Sequence, residues 1–184
     1  MKIIGIGANL PGPGNFPPRA TCGRALERLE GAGIRIAKRS GWFISRPLPA
    51  SAQPWFVNGV AAVETALDPA ALMAALLACE AGLGRRRSAA NEARIIDLDI
   101  IDYDGLVTAG LGGPRLPHPR LEGRAFVLLP LAEIAPGWRH PVSGVTIVEL
   151  IAALPEADRG SAAIKAMSDG RGLFGSEWDG AIEE

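Results

Sequence analysis

Arg94-Ile95-Ile96-Asp97-Leu98-Asp99-Ile100-Ile101 is the stretch on which this chain is organised. Strand alternation sends Ile96, Leu98 and Ile100 to one face and Asp97 and Asp99 to the other. A two-residue step along a strand is about 7 Å, so the two carboxylates reach a shared site and repel each other unless cations lie between them. Mg²⁺ suits such a pair, because it favours one or two carboxylates completed by phosphate oxygens and water. Arg85, Arg86, Arg87 and Arg94 stand just upstream, where their guanidinium forks can receive polyphosphate charge. Asp-x-Asp alone is often the solvated face of a half-buried sheet, and an arginine run alone a solvated charge cluster. Together in one short segment they point to an anion and a metal acting at one nucleotide-phosphate site.

Outward from this strand, residues 2–7 read as an apolar first strand, followed by a Pro/Gly-rich loop through Pro18. Cys22, Ala25, Leu26 and Leu29 fall at helical spacing, with Gly31 and Gly33 placed to stop the helix. Ile34 to Ser45 is rich in strand formers and broken by Gly41, residues 46–54 are a proline-punctuated loop, and Trp55 to Thr65 reads as a strand. Asp68-Pro69 opens a helix that runs to about Leu83 and ends at Gly84. Strand, helix, strand, strand, helix, strand is the split βαβ order of a ferredoxin-like α+β sandwich, whose antiparallel-containing sheet carries its helices on one face. Arg124 to Ala135 forms a further helix with Pro130 inside it, and Thr146 with Glu149 offers a capping box for a last helix to Leu154. Residues 155–184 turn Gly-rich and polar, so the expectation is a domain over 1–154 and a flexible tail beyond it. Phe174, Trp178 and Ile182 recur every fourth residue in that tail, a short apolar stripe able to dock.

At 184 residues and 48% hydrophobic content, one domain can bury a proper core without metal or disulfide staples. Cys22 and Cys79 each lie among apolar neighbours, as reduced buried thiols do, and no cysteine pattern for metal is present. The opening Met1-Lys2-Ile3-Ile4-Gly5-Ile6-Gly7 lacks the apolar core of a signal peptide, and no helical apolar run is long enough to span a bilayer. A cytoplasmic monomer without membrane association is the expectation. Residues 155–184 hold seven acids against three bases, which leaves residues 1–154 at +3 of the overall −1. That modest excess suits a small anionic ligand and argues against a nucleic-acid partner.

Several segments line up in order: Gly7-Ala8-Asn9-Leu10, Gln53-Pro54-x-Phe56-Val57-Asn58, Glu80 with Gly84-Arg85-x-Arg87, Arg94-x-x-Asp97-Leu98-Asp99-Ile100, and Pro117-His118-Pro119-Arg120 leading into Arg124-x-Phe126-Val127-Leu128. As a set, spread over most of residues 3–154, they resemble the 6-hydroxymethyl-7,8-dihydropterin pyrophosphokinase family of folate biosynthesis. The resemblance implies that ATP and the hydroxymethyl pterin give AMP and the pterin pyrophosphate, the pterin hydroxyl attacking the β-phosphorus. It implies two Mg²⁺ ions held by Asp97 and Asp99. It makes Arg85, Arg87, Arg94, His118 and Arg124 phosphate or ribose contacts, Arg85 and Arg94 being catalytic with the two acids, and places Glu80 and Ile100 beside the nucleotide. A flat pterin needs aromatic faces and a few directed polar groups. Phe56, Asn58 and Phe126 match that need, with Ser45 and Leu48 at the positions of the first substrate loop. Apart from the resemblance, both phenylalanines would read as ordinary core and His118 as a turn residue; His140 has no site pattern.

Many members carry Arg-Trp-Gly-Pro-Arg before the diacid strand, where this chain has Asn91-Glu92-Ala93-Arg94, one residue fewer and without the tryptophan. Arg86 or Arg115 is available to replace the missing basic group. Arg46 stands where proline is common, and Pro119 where some members have tyrosine. Two rival readings are a non-catalytic pterin or nucleotide-binding module, which would release no AMP, and another metal-dependent phosphotransferase or nuclease, which would act on unrelated phosphate esters.

Overall fold

The fold is described from a computed structural model covering residues 1–85, 92–167 and 174–175. Strands β1 (Lys2–Ala8), β2 (Arg35–Arg39), β3 (Phe43–Ser45), β4 (Phe56–Glu64), β5 (Asp97–Tyr103) and, near the C-terminus, β8 (Ile164–Ala166) form one antiparallel sheet in the order β5-β1-β4-β3-β8, β2 also pairing with β4. A small hairpin joins β6 (Thr108–Ala109) to β7 (Arg115–Leu116). The helices are α1 (Pro18–Gly31), α2 (Pro69–Gly82), α3 (Ala125–Ile134), α4 (Ile147–Ala153) and α5 (Glu156–Arg159).

Local sequence explains the boundaries. Pro18 opens α1, where the missing N–H costs nothing, and Gly33, at φ +80°, makes the left-handed turn out of it. Asp68 caps α2 by accepting from the Ala71 N–H at 2.8 Å. At α4, Thr146 and Glu149 form the reciprocal capping box that their spacing suggests. The break between β2 and β3 is filled by Ser40, whose Oγ accepts the Val60 N–H at 3.0 Å and so occupies a ladder position.

The expectation of helices on one sheet face is corrected, since both faces are covered. Ile4, Ile6, Ala8, Ile44, Val57, Leu98 and Ile100 pack against α1 and α2. Ile3, Phe43, Val60 and Ile101 form a second buried surface under Leu128, Leu131, Ile134, Ile147 and Leu150 of α3 and α4. The strands are apolar on both sides, and water is an unfavourable cover for either.

Beyond 154, where the sequence suggests a tail, the described residues carry two short elements. Pro155 leads into α5, and β8 joins the sheet beside β3. Phe174 is buried with the α1/α2 core, and the fully buried Arg19 donates from Nη1 to the carbonyls of Phe174 and Gly175 at 2.9 and 3.1 Å while stacking over Trp42. Gly175, at φ +70°, lies so close to that guanidinium that a Cβ would clash with it. Burial of one apolar ring and two charge-assisted hydrogen bonds outweigh the local polar composition. Trp178 and Ile182, the rest of the predicted stripe, lie outside the described residues.

Candidate active site

On the face of the sheet that α3 and α4 cover, the cover stops short at one end and leaves a cleft of about 460 Å³. Its floor follows from register. Gly5 and Gly7 of β1 stand opposite Asp99 and Asp97 of β5 on one side and opposite Val60 and Asn58 of β4 on the other. A Cβ on Gly7 would sit 3.2 Å from Asn58 Oδ1, and one on Gly5 3.0 Å from Ile101 Cδ1. The two glycines keep the centre of the floor low between the acids and the opposite wall.

Asp97, Asp99, Arg85 and Arg94 line one side of this cleft, with His118, Arg120 and Arg124 over it. Asp97 is gripped at both oxygens, by Arg85 Nη1 at 2.7 Å and by Arg94 Nη1 at 2.9 Å. Glu80 lies beneath: its buried Oε1 accepts the Leu98 N–H at 2.7 Å and binds Arg85. Burial pushes the Glu80 carboxyl upward, and the Leu98 N–H and Arg85 oppose that shift. The Asp99 carboxyl is raised first by burial and then by the charge of Asp97. His118 is pushed down to about 4 by burial and by the charges of Arg124 and Arg120, so its ring is neutral at neutral pH. Its Nδ1 accepts the Arg120 N–H at 3.2 Å, which assigns the proton to Nε2, 3.8 Å from Asp99 Oδ2. That approach, between a neutral imidazole and a carboxylate, is proximity and not an ion pair.

The other wall comprises Phe56, Asn58 and Phe126, with Ser45, Arg46 and Leu48 from β3 and the loop after it. Asn58 Nδ2 donates to Ser45 Oγ at 2.9 Å, which orients both polar groups beside the two rings. Leu48 is half exposed at the rim.

Two residues expected beside the nucleotide do not line the cleft with their side chains. Ile100 shares the opposite sheet face with Leu98 and does not reach the cleft by its side chain. Glu80 supports Arg85 from below and does not line the cavity. Arg87, and Arg86 as a replacement base, fall outside the described residues. Arg115, the other suggested replacement, is on β7 away from the cleft, whereas Arg120 lines it.

Asn9, part of the Gly7-Ala8-Asn9-Leu10 segment but without an expected role, takes a supporting one. Almost fully buried, it accepts the Arg94 N–H on Oδ1 at 2.7 Å and donates from Nδ2 to Gln53 Oε1 and the Pro54 carbonyl at 3.3 and 3.1 Å. The N–H groups of Asn9 and Leu10 both donate to the Arg94 carbonyl. One side chain thus ties the end of β1 to both walls. Its signal was an Asn directly after a predicted strand, a position where a carboxamide commonly satisfies loop backbone.

Among the described residues no three His, Cys, Asp or Glu side chains gather into a metal cluster. Asp97 and Asp99 stand side by side on β5, with Glu92 also on the cleft lining, and a carboxylate pair is the donor set of a hard cation completed by phosphate oxygens and water. Burial raises Asp99 first and the charge of Asp97 adds to it, and a cation between the two acids would relieve that second part.

Convergent arginines around paired carboxylates, facing two aromatic rings and an oriented amide, define a phosphate-handling site with room for a flat heterocycle. The profile of the 7,8-dihydro-6-hydroxymethylpterin-pyrophosphokinase (HPPK) family matches residues 3–136, and the chain belongs to that family. It is similar to proteins named 2-amino-4-hydroxy-6-hydroxymethyldihydropteridine pyrophosphokinase. The one from Pseudomonas aeruginosa is 41% identical over 153 residues, covering 83% of this chain and 90% of the relative. Those of Methylorubrum extorquens and Synechocystis are each 37% identical, covering 82% and 81% of this chain and 91% and 73% of their own lengths.

Proposed function

We propose that this chain transfers pyrophosphate from ATP to the hydroxyl of 6-hydroxymethyl-7,8-dihydropterin, releasing AMP, in folate biosynthesis. The observation that carries the reading is the single cleft with two chemically different walls: guanidinium groups and acids on β5 and its flanks, rings and an oriented amide on β4 and α3. Family membership supports the same chemistry. We read the β1-α1-β2/β3-β4-α2-β5 portion, in sheet order β5-β1-β4 with β2 and β3 outermost, as the split βαβ unit of a ferredoxin-like sandwich.

In this reading Phe56 and Phe126 hold the pterin ring by its faces, and Asn58 with Ser45 reads its edge. Arg85, Arg94 and Arg124 bind triphosphate oxygens, Arg120 adding positive potential. Asp97 and Asp99 would hold Mg²⁺, two ions in this reading, and that cation charge would offset the triphosphate for in-line displacement at the β-phosphorus. Asp97 is clasped by Arg85 and Arg94, so for it to hold a cation these guanidinium groups would turn toward phosphate. Glu80 keeps Arg85 at the floor during that exchange, and Asn9 holds the Arg94 backbone. The residues therefore act by position and electrostatics.

AMP release from Mg²⁺, ATP and the pterin tests this, with pterin-free and Asp97→Ala reactions as controls. AMP formed only with pterin and intact Asp97 is the expected result. Ligand binding without AMP would favour the non-catalytic module, and pterin-independent cleavage would favour the other phosphotransferase. Independently of turnover, Mg²⁺–ATP at a hundredfold its dissociation constant should stabilise the fold by about 2.7 kcal/mol, visible as a raised melting temperature. No shift at saturation would count against the metal-nucleotide site.

A further inference from the structure

The strand β8 touches the aromatic wall of the cleft from behind, at both ends of one loop. On its inner side β3 pairs with β4, setting Ser45 opposite Phe56 and Phe43 opposite Asn58. On its outer side it pairs with β8, setting Ser45 opposite Ile164 and Ile44 opposite Lys165. The ladder continues one step further, because the Arg46 N–H donates to the Ala163 carbonyl at 2.9 Å. Arg46 opens the loop that carries Leu48 and Gln53 into the cleft, and Trp55 closes it directly before Phe56. Lys165 Nζ lies 5.4 Å from the Trp55 ring centroid, and the Arg46 guanidinium is 5.4 Å from the same ring.

We propose that β8 braces the 46–55 loop by holding its first residue through the Ala163 carbonyl and its last through Lys165 on Trp55, making Lys165 a positioning residue for the heterocycle-binding wall. The inference rests on the reading above, that this wall receives the pterin. Without β8, β3 is a three-residue edge strand, and the loop after it is free to move away from Phe56 and Asn58. The triphosphate wall is built on β5 and the turn after α2, which β8 does not touch, so the effect should be confined to one substrate.

The test uses the full chain and its Lys165→Ala and Lys165→Arg variants. KM for pterin and for ATP, kcat, melting temperature and direct equilibrium binding of the pterin are measured. A cation–π contact of this kind is worth roughly 0.5–1 kcal/mol at an exposed position, so Lys165→Ala should weaken pterin binding about two- to fivefold. KM for ATP, kcat and melting temperature should stay unchanged, and Lys165→Arg should restore pterin binding because it keeps the cation on the ring. Unchanged pterin binding in Lys165→Ala, or an equal loss for both substrates, overturns the inference while leaving the functional reading intact. A wild-type chain that binds no pterin refutes that reading, and the inference with it.

Discussion

Asp97 is poised between two partnerships. In the structure its oxygens are occupied by Arg85 and Arg94, whereas the proposed turnover would need the acid for cation and the arginines for phosphate. The exchange uses guanidinium geometry, because a fork can leave a carboxylate and grip two phosphate oxygens without losing charge. Arg94→Lys keeps the charge and loses the fork, and should lower kcat by about tenfold, less than the roughly hundredfold or greater loss when a preorganised donor is removed outright. Steady-state AMP release measures it, and unchanged turnover would remove Arg94 from the proposed machinery. The type and spacing of these charged groups were legible in the chain. That Glu80 works under Arg85, or that Asn9 joins both walls, was not, because those roles depend on partners that are distant in sequence or buried out of view.

Helix α2 carries the support for this site on its last turns, where Glu80 reaches the Leu98 N–H and Gly84, at φ +86°, turns the chain toward Arg85. Its start is held by Asp68, an N-cap bonded to the Ala71 N–H. Asp68→Ala should cost about 1 kcal/mol in urea unfolding and Asp68→Asn much less, since asparagine caps nearly as well. A loss as large in the asparagine variant would show that the cap hydrogen bond is not the source. Caps, glycine stops and the 3.6-residue pattern were all readable here, because each depends on residues within a turn or two. The alternation on β5 was readable for the same reason. The fate of its far face was not: Ile101 joins the α3/α4 core while Asp97 and Asp99, on the same face, remain in the open cleft. Where that cover ends is set by α3, whose sequence lies more than twenty residues further on.

The two apolar layers meet only through the sheet, and the chain beyond α4 returns to both of them: Ile164 to the α3/α4 side and Phe174 to the α1/α2 side. Arg19 is the anchor of that return. Arg19→Ala removes two charge-assisted hydrogen bonds to the Phe174 and Gly175 carbonyls and should destabilise by roughly 2 kcal/mol, with faster limited proteolysis after residue 167. Proteolysis at the wild-type rate would mean that the Phe174 ring alone holds the segment. The thiols offer a second check on the whole fold. Burial pushes Cys22 up to about 12 and Cys79 up to about 11, so at pH 8 both should resist alkylation in the native protein and react fully in denaturant. Rapid native labelling of either would show that the α1/α2 layer opens readily.

The strands and helices over residues 2–103, the helices α3 and α4, their caps and stops, the diacid strand and the family itself could be read from the chain, since these depend on neighbours along it and on motifs in a set order. Helices on both sheet faces, the joining of residues 156–167 and Phe174 to the domain, and the place of Glu80 beneath Arg85 required the folded chain. Each of these is decided by which distant apolar surface or buried charge is available to be covered, and local composition carries no record of that.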